Sequence, residues 1–433
     1  MRVAHFVHRY PPALGGAESY FARLSRFLVE QGTEVEVFTT NAFDLQAFWS
    51  PRARTVPSGV EVQAGVTVRR FPIRHWPAQR YFRKLLSFVP SPRLQALGLP
   101  CNPWTPQLWR ECDQDLGFDI VHATALPYAY PILCAQRLAR ACKAPFVLTP
   151  FLHLGDPRAV RDRTRRAYLA PALRYLIHRS DLLFVQTSIE RDALLGIGIP
   201  SERIVLQGLG VDPEECTGGN RLTAREQWLI PSEAIVIGHL ANKSVEKGTV
   251  DLLRAARLLW DAGCSFHVLL AGPSMPNFER AWAGFPYRDR VCNLGSLSEA
   301  EKRDFYAALD VFALPSRSDS FGLVLLEAWA NGIPCVGYRA GGVAEVIRHD
   351  LDGYLVDCGS VTGLAEALGT LVRNGAARRR LGQTGRERVF REHRWQSRLD
   401  VVRQTYLRLL ASRGSAHGLT ASSEQVLLPA DKW

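Results

Sequence analysis

Two carboxylates eight residues apart, Asp319 and Glu327, lie in the stretch LPSRSDSFGLVLLEAWANGIPCVGYRAGG that runs from Leu314 to Gly342. A short apolar strand, Val311 to Leu314, breaks at Pro315-Ser316, and a polar loop leads into a helix near Phe321-Gly322. Asp319 therefore precedes the helix, and Glu327 stands about a turn and a half inside it. Gly322 lets the backbone come close to a ligand. The free N–H groups of Gly322, Leu323 and Val324 form an anion site, with Ser320 and Phe321 completing the approach. A carboxylate beside an anion-binding helix end suits a ligand carrying both hydroxyls and phosphates, such as a sugar nucleotide. The plainer alternative is that Asp319 caps the helix and Glu327 is a buried, satisfied acid.

Further candidates lie elsewhere. Lys247, just before Gly248 and a helix, follows an apolar strand end and offers a positive charge, although a lysine before a helix is often only solvated. Gly15 and Gly16 open a helix after the first strand. As glycines they permit positive φ and leave N–H groups free for an anion, or they form a plain strand-to-helix turn. His153 lies past the strand Phe146 to Thr149, and on the residues alone it reads as a structural donor as readily as a catalyst. His5, His8, His122 and His239 sit in or at strands, His122 at a strand end facing the same expected cleft. Asp113-Gln-Asp115 and Asp350-Leu-Asp352 have the DxD spacing of divalent-cation sites, but such pairs arise often by chance, and no metal site is assigned.

The elements needed to position these residues alternate. Val3 to Val7 is a strand. The spacing of Phe21, Leu24, Phe27 and Leu28 predicts a helix that Gly32 stops, and Val35 and Val37 begin a second strand. Strands recur at Ile120-Val121, Phe146 to Thr149 and Leu182 to Gln186. The alternation restarts after Gly210-Val211-Asp212, with strands at Ala234 to His239, Phe266 to Ala271, Val291 to Leu294, Val311 to Leu314, Pro334 to Gly337 and Gly353 to Val356. This alternation predicts an α/β protein of two doubly wound, Rossmann-like domains facing a cleft, with ligands at the carboxyl ends of the strands. The expected boundaries are 1–210, 211–393, a helix over 394–410 returning to the first domain, and a disordered tail over 411–433. Residues 41–106 read as irregular.

Composition narrows the class. The 433 residues are 47% apolar and 22% charged, which is globular, and no apolar run reaches the length of a membrane span. The N-terminus reads as a strand and not as a leader. Nine scattered cysteines without a CxxC argue against disulfides or zinc and for a reducing, cytoplasmic setting. The net charge of +11 is uneven: Arg69 to Arg93 holds seven Lys or Arg and no acid, interleaved with Phe71, Trp76, Tyr81, Phe82 and Phe88. Asp156 to Arg179 holds seven Arg against two Asp. With no nucleic-acid motif present, these stretches point to an anionic membrane surface or acceptor, the plainer alternative being an ordinary solvated basic face, and localisation is expected to be cytoplasmic and peripheral on the membrane's inner face.

The Asp319–Glu327 stretch resembles the signature of the retaining GT-B glycosyltransferases called family 4, or group 1, in which two Glu seven residues apart in between contact the donor sugar and the ribose. Glu327 matches the second Glu, Phe321, Gly322, Leu323 and Ala328 match its surroundings, and Asp319 replaces the first Glu with a side chain one methylene shorter. YPPALGGAES, VLTPFLHLGDP, EKG at 246–248, LAG at 270–272, LGSLSEAE at 294–301 and AGGVAEVI at 340–347 extend the resemblance over residues 1–40 and 120–410. It implies transfer of a hexose from a nucleotide diphosphate sugar to a hydroxyl of a lipid-linked or oligosaccharide acceptor, in polysaccharide or glycolipid assembly. It places Lys247, Gly15 and Gly16 on the diphosphate and His153 over the donor sugar, and it implies no cofactor or metal. The family's Arg five residues before Lys247 is Asn242 here, with Lys243 beside it as a substitute cation. An epimerase of the same architecture and a non-catalytic sugar-nucleotide-binding module are the alternatives.

Overall fold

The computed structural model describes residues 1–421 except Leu14 and Val160, with side chains from 414 onward left out. Residues 422–433, most of the expected disordered tail, lie outside the described residues. The chain divides into two compact units: Met1–Thr149 with Tyr175–Phe184 and the segment from Leu399, and Pro150–Arg174 with Val185–Arg398.

The first sheet comprises β1 (Arg2–Phe6), β2 (Glu34–Thr40), β3 (Gly59–Gln63), β4 (Val66–Phe71), β5 (Ile120–Ala123), β6 (Phe146–Leu148), β7 (Leu182–Val185) and β8 (Ile204–Leu206). Their order is β3-β4-β2-β1-β5-β6-β7-β8. β1 pairs in parallel with both β2 and β5 and is almost wholly buried, as a central parallel strand must be. α1 (Gly16–Glu30) buries Tyr20, Phe21, Leu24 and Leu28.

Residues 41–106, expected to be irregular, are largely ordered. β3 and β4 form a hairpin across Ala64 and Gly65, both at positive φ (47° and 78°), and β4 then adds to β2 in parallel. The turn lacks the usual Asn-Gly or Asp-Gly pair, and β3 is exposed along four of its five residues, so neither turn chemistry nor alternation marks it. α2 (Gln79–Phe88) and a Pro92–Leu97 helix follow.

The second sheet is wholly parallel: β9 (Val236–Leu240), β10 (His267–Ala271), β11 (Val291–Asn293), β12 (Val311–Leu314), β13 (Cys335–Tyr338) and β14 (Gly353–Val356), in the order β11-β10-β9-β12-β13-β14. Strand order reverses between β9 and β12, because the chain goes from β9 to one side and resumes at β12 on the other. Loops leaving those two strands diverge, and the crevice between them is where such sheets take ligands.

A Trp395–Ala421 helix closes the described chain, running past Leu410 where the sequence suggested a tail. In the first unit its Tyr406 hydroxyl is hydrogen-bonded to His122 Nδ1, and His122 Nε2 meets Thr149 Oγ1 at 2.7 Å. His122 is fully buried, and burial holds its ring neutral. It is thus a structural link and not a site residue. Tyr406→Phe removes this bond and leaves a buried imidazole nitrogen without it, so the first unit should lose about 1–3 kcal/mol. Thermal unfolding should start earlier, with nucleotide-sugar affinity unchanged.

Candidate active site

Three of the expected residues converge in the second unit at the sheet's reversal point. Lys247 comes from the loop after β9, and Asp319 from the loop after β12. Their side chains pair at 2.6 Å, Nζ to Oδ2, with each less than a third exposed. Burial pushes the Asp319 carboxyl up, but Lys247, His153 and the Phe321 N–H outweigh it and hold it below the ordinary range. His153 comes from the Pro150–Arg174 segment of the same unit, and its ring lies 5.1 Å from that of Tyr168. Burial first, then the Lys247 ammonium, pull its pKa to about 4, against Asp319 and a hydrogen bond to the Ser318 backbone. At neutral pH the centre is therefore an ammonium, a carboxylate and an uncharged imidazole.

Glycines set the loop around Asp319 by close approach. A Cβ on Gly341 (φ +51°) would lie 2.3 Å from the Asp319 carbonyl oxygen, and one on Gly342 would lie 2.1 Å from that of Ser320. The Gly342 N–H donates to Asp319 O at 2.7 Å, and the Gly341 N–H to Gly155 O at 2.7 Å. The AGG turn thus docks the Asp319 loop to the segment that carries His153. Gly248 (φ +75°) starts the Thr249–Asp261 helix, and its Cβ would meet Pro315 O at 1.9 Å. Gly322 (φ +88°) begins the Leu323–Ala330 helix as expected.

Sequence reasoning missed two carboxylates that support this arrangement. Glu190 is buried and accepts from Leu152 N and Gln186 N, each at 2.8 Å, and so holds the residue before His153. Burial pushes its pKa up to about 7. Glu345 accepts from the N–H groups of Ser188 and Ile189 and from the Ser188 hydroxyl.

The remaining expected residues fall differently. Glu327 is 8% exposed, and its carboxylate accepts from the Tyr306 hydroxyl at 2.6 Å and pairs with Lys302 at 3.0 Å. Tyr306 and Lys302 follow the SEAE capping box of the Glu299–Ala308 helix and were not singled out. Asn242 is exposed. Lys243, expected as a substitute phosphate cation, is 2% exposed, with its ammonium on Asn293 Oδ1 and the Leu294 carbonyl, both at 2.5 Å. A cation anchored in the β10–β11 edge is committed to the fold. His239 is likewise structural, bonded to Ala313 O and Thr249 Oγ1 and brought by burial to about 4.

In the first unit, Gly15 and Gly16 differ from expectation in the reason for glycine. Neither has a positive φ in the left-handed region: Gly15 is extended at φ 167°. What excludes a side chain at Gly15 is Glu18, whose carboxylate would lie 2.2 Å from its Cβ. Glu18 is buried and pairs with Arg9 at 2.6 Å and His8 at 3.1 Å, and the His8 ring stacks on Tyr128 at 3.9 Å. These residues stand where the first sheet reverses, between β1 and β5. The DxD pairs are engaged by cations or backbone: Asp352 is buried between Arg348 and Arg388, Asp350 pairs with Arg380, Asp113 with Arg137, and Asp115 accepts from Gly117 N.

Two family descriptions match this chain, a Glycosyl transferase 4-like domain over residues 15–210 and Glycosyl transferases group 1 over residues 220–388. The protein belongs to the group 1 glycosyltransferases and has the GT-B fold of two parallel-sheet Rossmann-like domains. Among its relatives, sulfoquinovosyl transferase SQD2 of Arabidopsis thaliana is 27% identical over 93% of this chain and 72% of its own length. A D-inositol 3-phosphate glycosyltransferase of Saccharomonospora viridis is 26% identical over 93% and 91%. Similar folds include sucrose-phosphate synthase of Thermosynechococcus elongatus, with TM-score 0.72, 21% identity and coverage of 95% and 99%. Anabaena Alr3699/HepE in complex with UDP-glucose gives TM-score 0.69, 17% identity and coverage of 95% and 100%.

The charges around His153 give a test independent of turnover. With a folded pKa of about 4, below the usual value near 6.5, its contribution to stability is complete above pH ~6.5 and is lost as pH falls toward 4. Lys247→Met removes the like charge, so the His153 midpoint should rise in an NMR titration of the ring. An unmoved midpoint would show that the ammonium does not act on the imidazole.

Proposed function

We propose that this transferase is a retaining hexosyltransferase of the family 4 type. It moves a hexose from a nucleotide diphosphate sugar to an acceptor hydroxyl in polysaccharide or glycolipid biosynthesis. The observation that carries this reading is the Lys247–Asp319–His153 cluster at the reversal point of the second sheet, beside the start of the Leu323–Ala330 helix. The second unit is assigned the donor. Lys247 and the Gly322, Leu323 and Val324 amides take the diphosphate, with Ser320 and Phe321 in the approach loop. Asp319 takes sugar hydroxyls, His153 hydrogen-bonds one of them as an uncharged ring, and Glu327 accepts from the ribose. A carboxylate has about four lone-pair sites, so Tyr306 and Lys302 leave Glu327 capacity for the ribose. The UDP-glucose complex of Alr3699/HepE supports a nucleotide-sugar donor.

In the proposed step the acceptor oxygen bonds to the anomeric carbon on the face from which the diphosphate leaves. The bond from that carbon to the phosphate oxygen breaks, and the acceptor's proton passes to the departing phosphate. No side chain forms a covalent intermediate. Lys247 and the helix start stabilise the charge that develops on the leaving group. No resident metal or cofactor takes part in this reading, and the engagement of both DxD pairs by local contacts supports it. Location on the cytoplasmic face of a membrane belongs to the same proposal, and no helix among the described residues is long and apolar enough to cross one.

Product analysis with and without acceptor tests the reaction type. Turnover without acceptor would indicate an epimerase, and no turnover with any donor a binding module. Glu327→Gln should lower kcat/KM roughly ten- to hundredfold, because a charge-assisted hydrogen bond contributes about 1.5–3 kcal/mol. Lys302 then keeps only Glu299 as a countercharge, so folding of the variant is checked by thermal unfolding in parallel. Asp319→Glu should reduce transfer or change donor preference, because Gly341 and Gly342 fix the loop for the shorter acid. Activity should survive EDTA, and loss restored by Mg²⁺ or Mn²⁺ would overturn the metal-free step.

A further inference from the structure

A cavity of about 830 Å³ lies in the first unit, within the segment between β2 and β5. Trp49 and Trp76 form part of its wall, and α2 contributes Gln79, Arg80, Arg83 and Lys84. No carboxylate among the described residues lines it. Gln79 and Arg83 are more than nine-tenths buried, yet Gln79 Nε2 and Arg83 Nε have no hydrogen-bond partner. Both atoms are sealed from solvent, so what the cavity itself presents is the exposed charge of Arg80 and Lys84. Such a lining is matched by a group that only accepts, and a phosphate does so.

The same helix is turned inside out. At 100° per residue, Gln79, Arg80, Arg83 and Lys84 occupy one face, and Tyr81, Phe82, Leu85 and Phe88 the opposite one. The polar face lines the cavity, whereas the apolar residues are 61%, 42%, 63% and 73% exposed. A surface helix normally buries its apolar face against the core. Here the apolar ridge faces outward beside a basic stretch with no acid from Arg69 to Arg93. That combination suits the interface of an anionic bilayer, with hydrocarbon against the ridge and phosphates against the cations.

We propose that α2 and its cavity bind the phosphate-bearing head of a membrane lipid, with α2's apolar ridge seated in the bilayer, so that the acceptor is a lipid-linked phosphate compound. This rests on the transferase reading above and names its acceptor class. Arg83 donates to the carbonyls of Pro100 and Asn102 and so holds the fold of the segment. It is therefore left unchanged in the test. Trp76 packs on Trp104 and lines the cavity, so it is not a membrane anchor.

The probes are decyl phosphate below its micellar concentration, inorganic phosphate and decanol, titrated calorimetrically, with sedimentation on phosphatidylcholine vesicles with and without phosphatidylglycerol. Decyl phosphate should bind the wild type more tightly than either fragment. Arg80→Glu with Lys84→Glu should weaken it roughly 30-fold or more, at about 1 kcal/mol per charge. Leu85→Glu with Phe88→Glu should abolish sedimentation on the anionic vesicles and leave decyl phosphate affinity unchanged. All four positions are exposed, so folding should be preserved. Equal affinity for inorganic and decyl phosphate, an unaffected Arg80/Lys84 variant, or equal sedimentation on neutral vesicles would each overturn the proposal. UDP-glucose binding, read by thermal shift on the same proteins, reports on the donor site alone. A chain that binds UDP-glucose but not decyl phosphate refutes the lipid acceptor and leaves the transferase reading intact.

Discussion

The ion pair between Lys247 and Asp319 is the constraint around which the second unit's site is organised. A carboxylate taken this far from water stays ionised only beside a positive charge, and Lys247 provides it from the neighbouring loop. That pairing requires the loops after β9 and β12 to end at the same place, which the reversal of strand order between them ensures. It also requires tight backbone approach, and Gly248, Gly341 and Gly342 each stand where a Cβ would strike a carbonyl oxygen. His153 stays uncharged because of its burial first and the neighbouring ammonium second.

The two units share one geometric solution with different chemistry. In both, charged groups collect where the sheet order reverses: Lys247 and Asp319 in the second, Arg9, His8 and Glu18 in the first. The first unit's cluster is tied up by its own ion pairs, by the ring of Tyr128 and by the Phe43 carbonyl, with His8 Nδ1 left without a hydrogen-bond partner. The second unit's pair is partly open to solvent, so a ligand can compete for it. One architecture thus yields a closed brace in one unit and an accessible charge pair in the other.

Much of this was legible in the sequence, because strands buried on both faces write continuous apolar runs and the signature loop concentrates its glycines and acids. Asp319, Lys247 and His153 fall together as their positions at strand ends imply. Side-chain direction was not legible. Lys243 and Lys247 are four residues apart in one loop, yet one ammonium is anchored at the sheet edge and the other meets Asp319. The order in residues 41–106 was hidden because an Ala-Gly turn and an exposed strand carry no strong pattern. Glu190 and Glu345 escaped notice because the N–H groups that tie them to the site, at Leu152 for one and at Ser188 and Ile189 for the other, belong to distant segments that spacing along the chain does not bring together.

The close approaches at Gly341 and Gly342 bear on how such a protein could acquire a new sugar preference. Neither position tolerates even a methyl group, so mutational drift is shut out from the backbone behind the acid. Variation is left to side chains that project from the loop, Asp319 and Ser320 among them. Exchanging Glu for Asp at 319 is the kind of change this leaves open: it shortens a reach by one methylene while the frame behind it stays put. Diversification in this region is therefore channelled into a few side-chain lengths on an invariant scaffold.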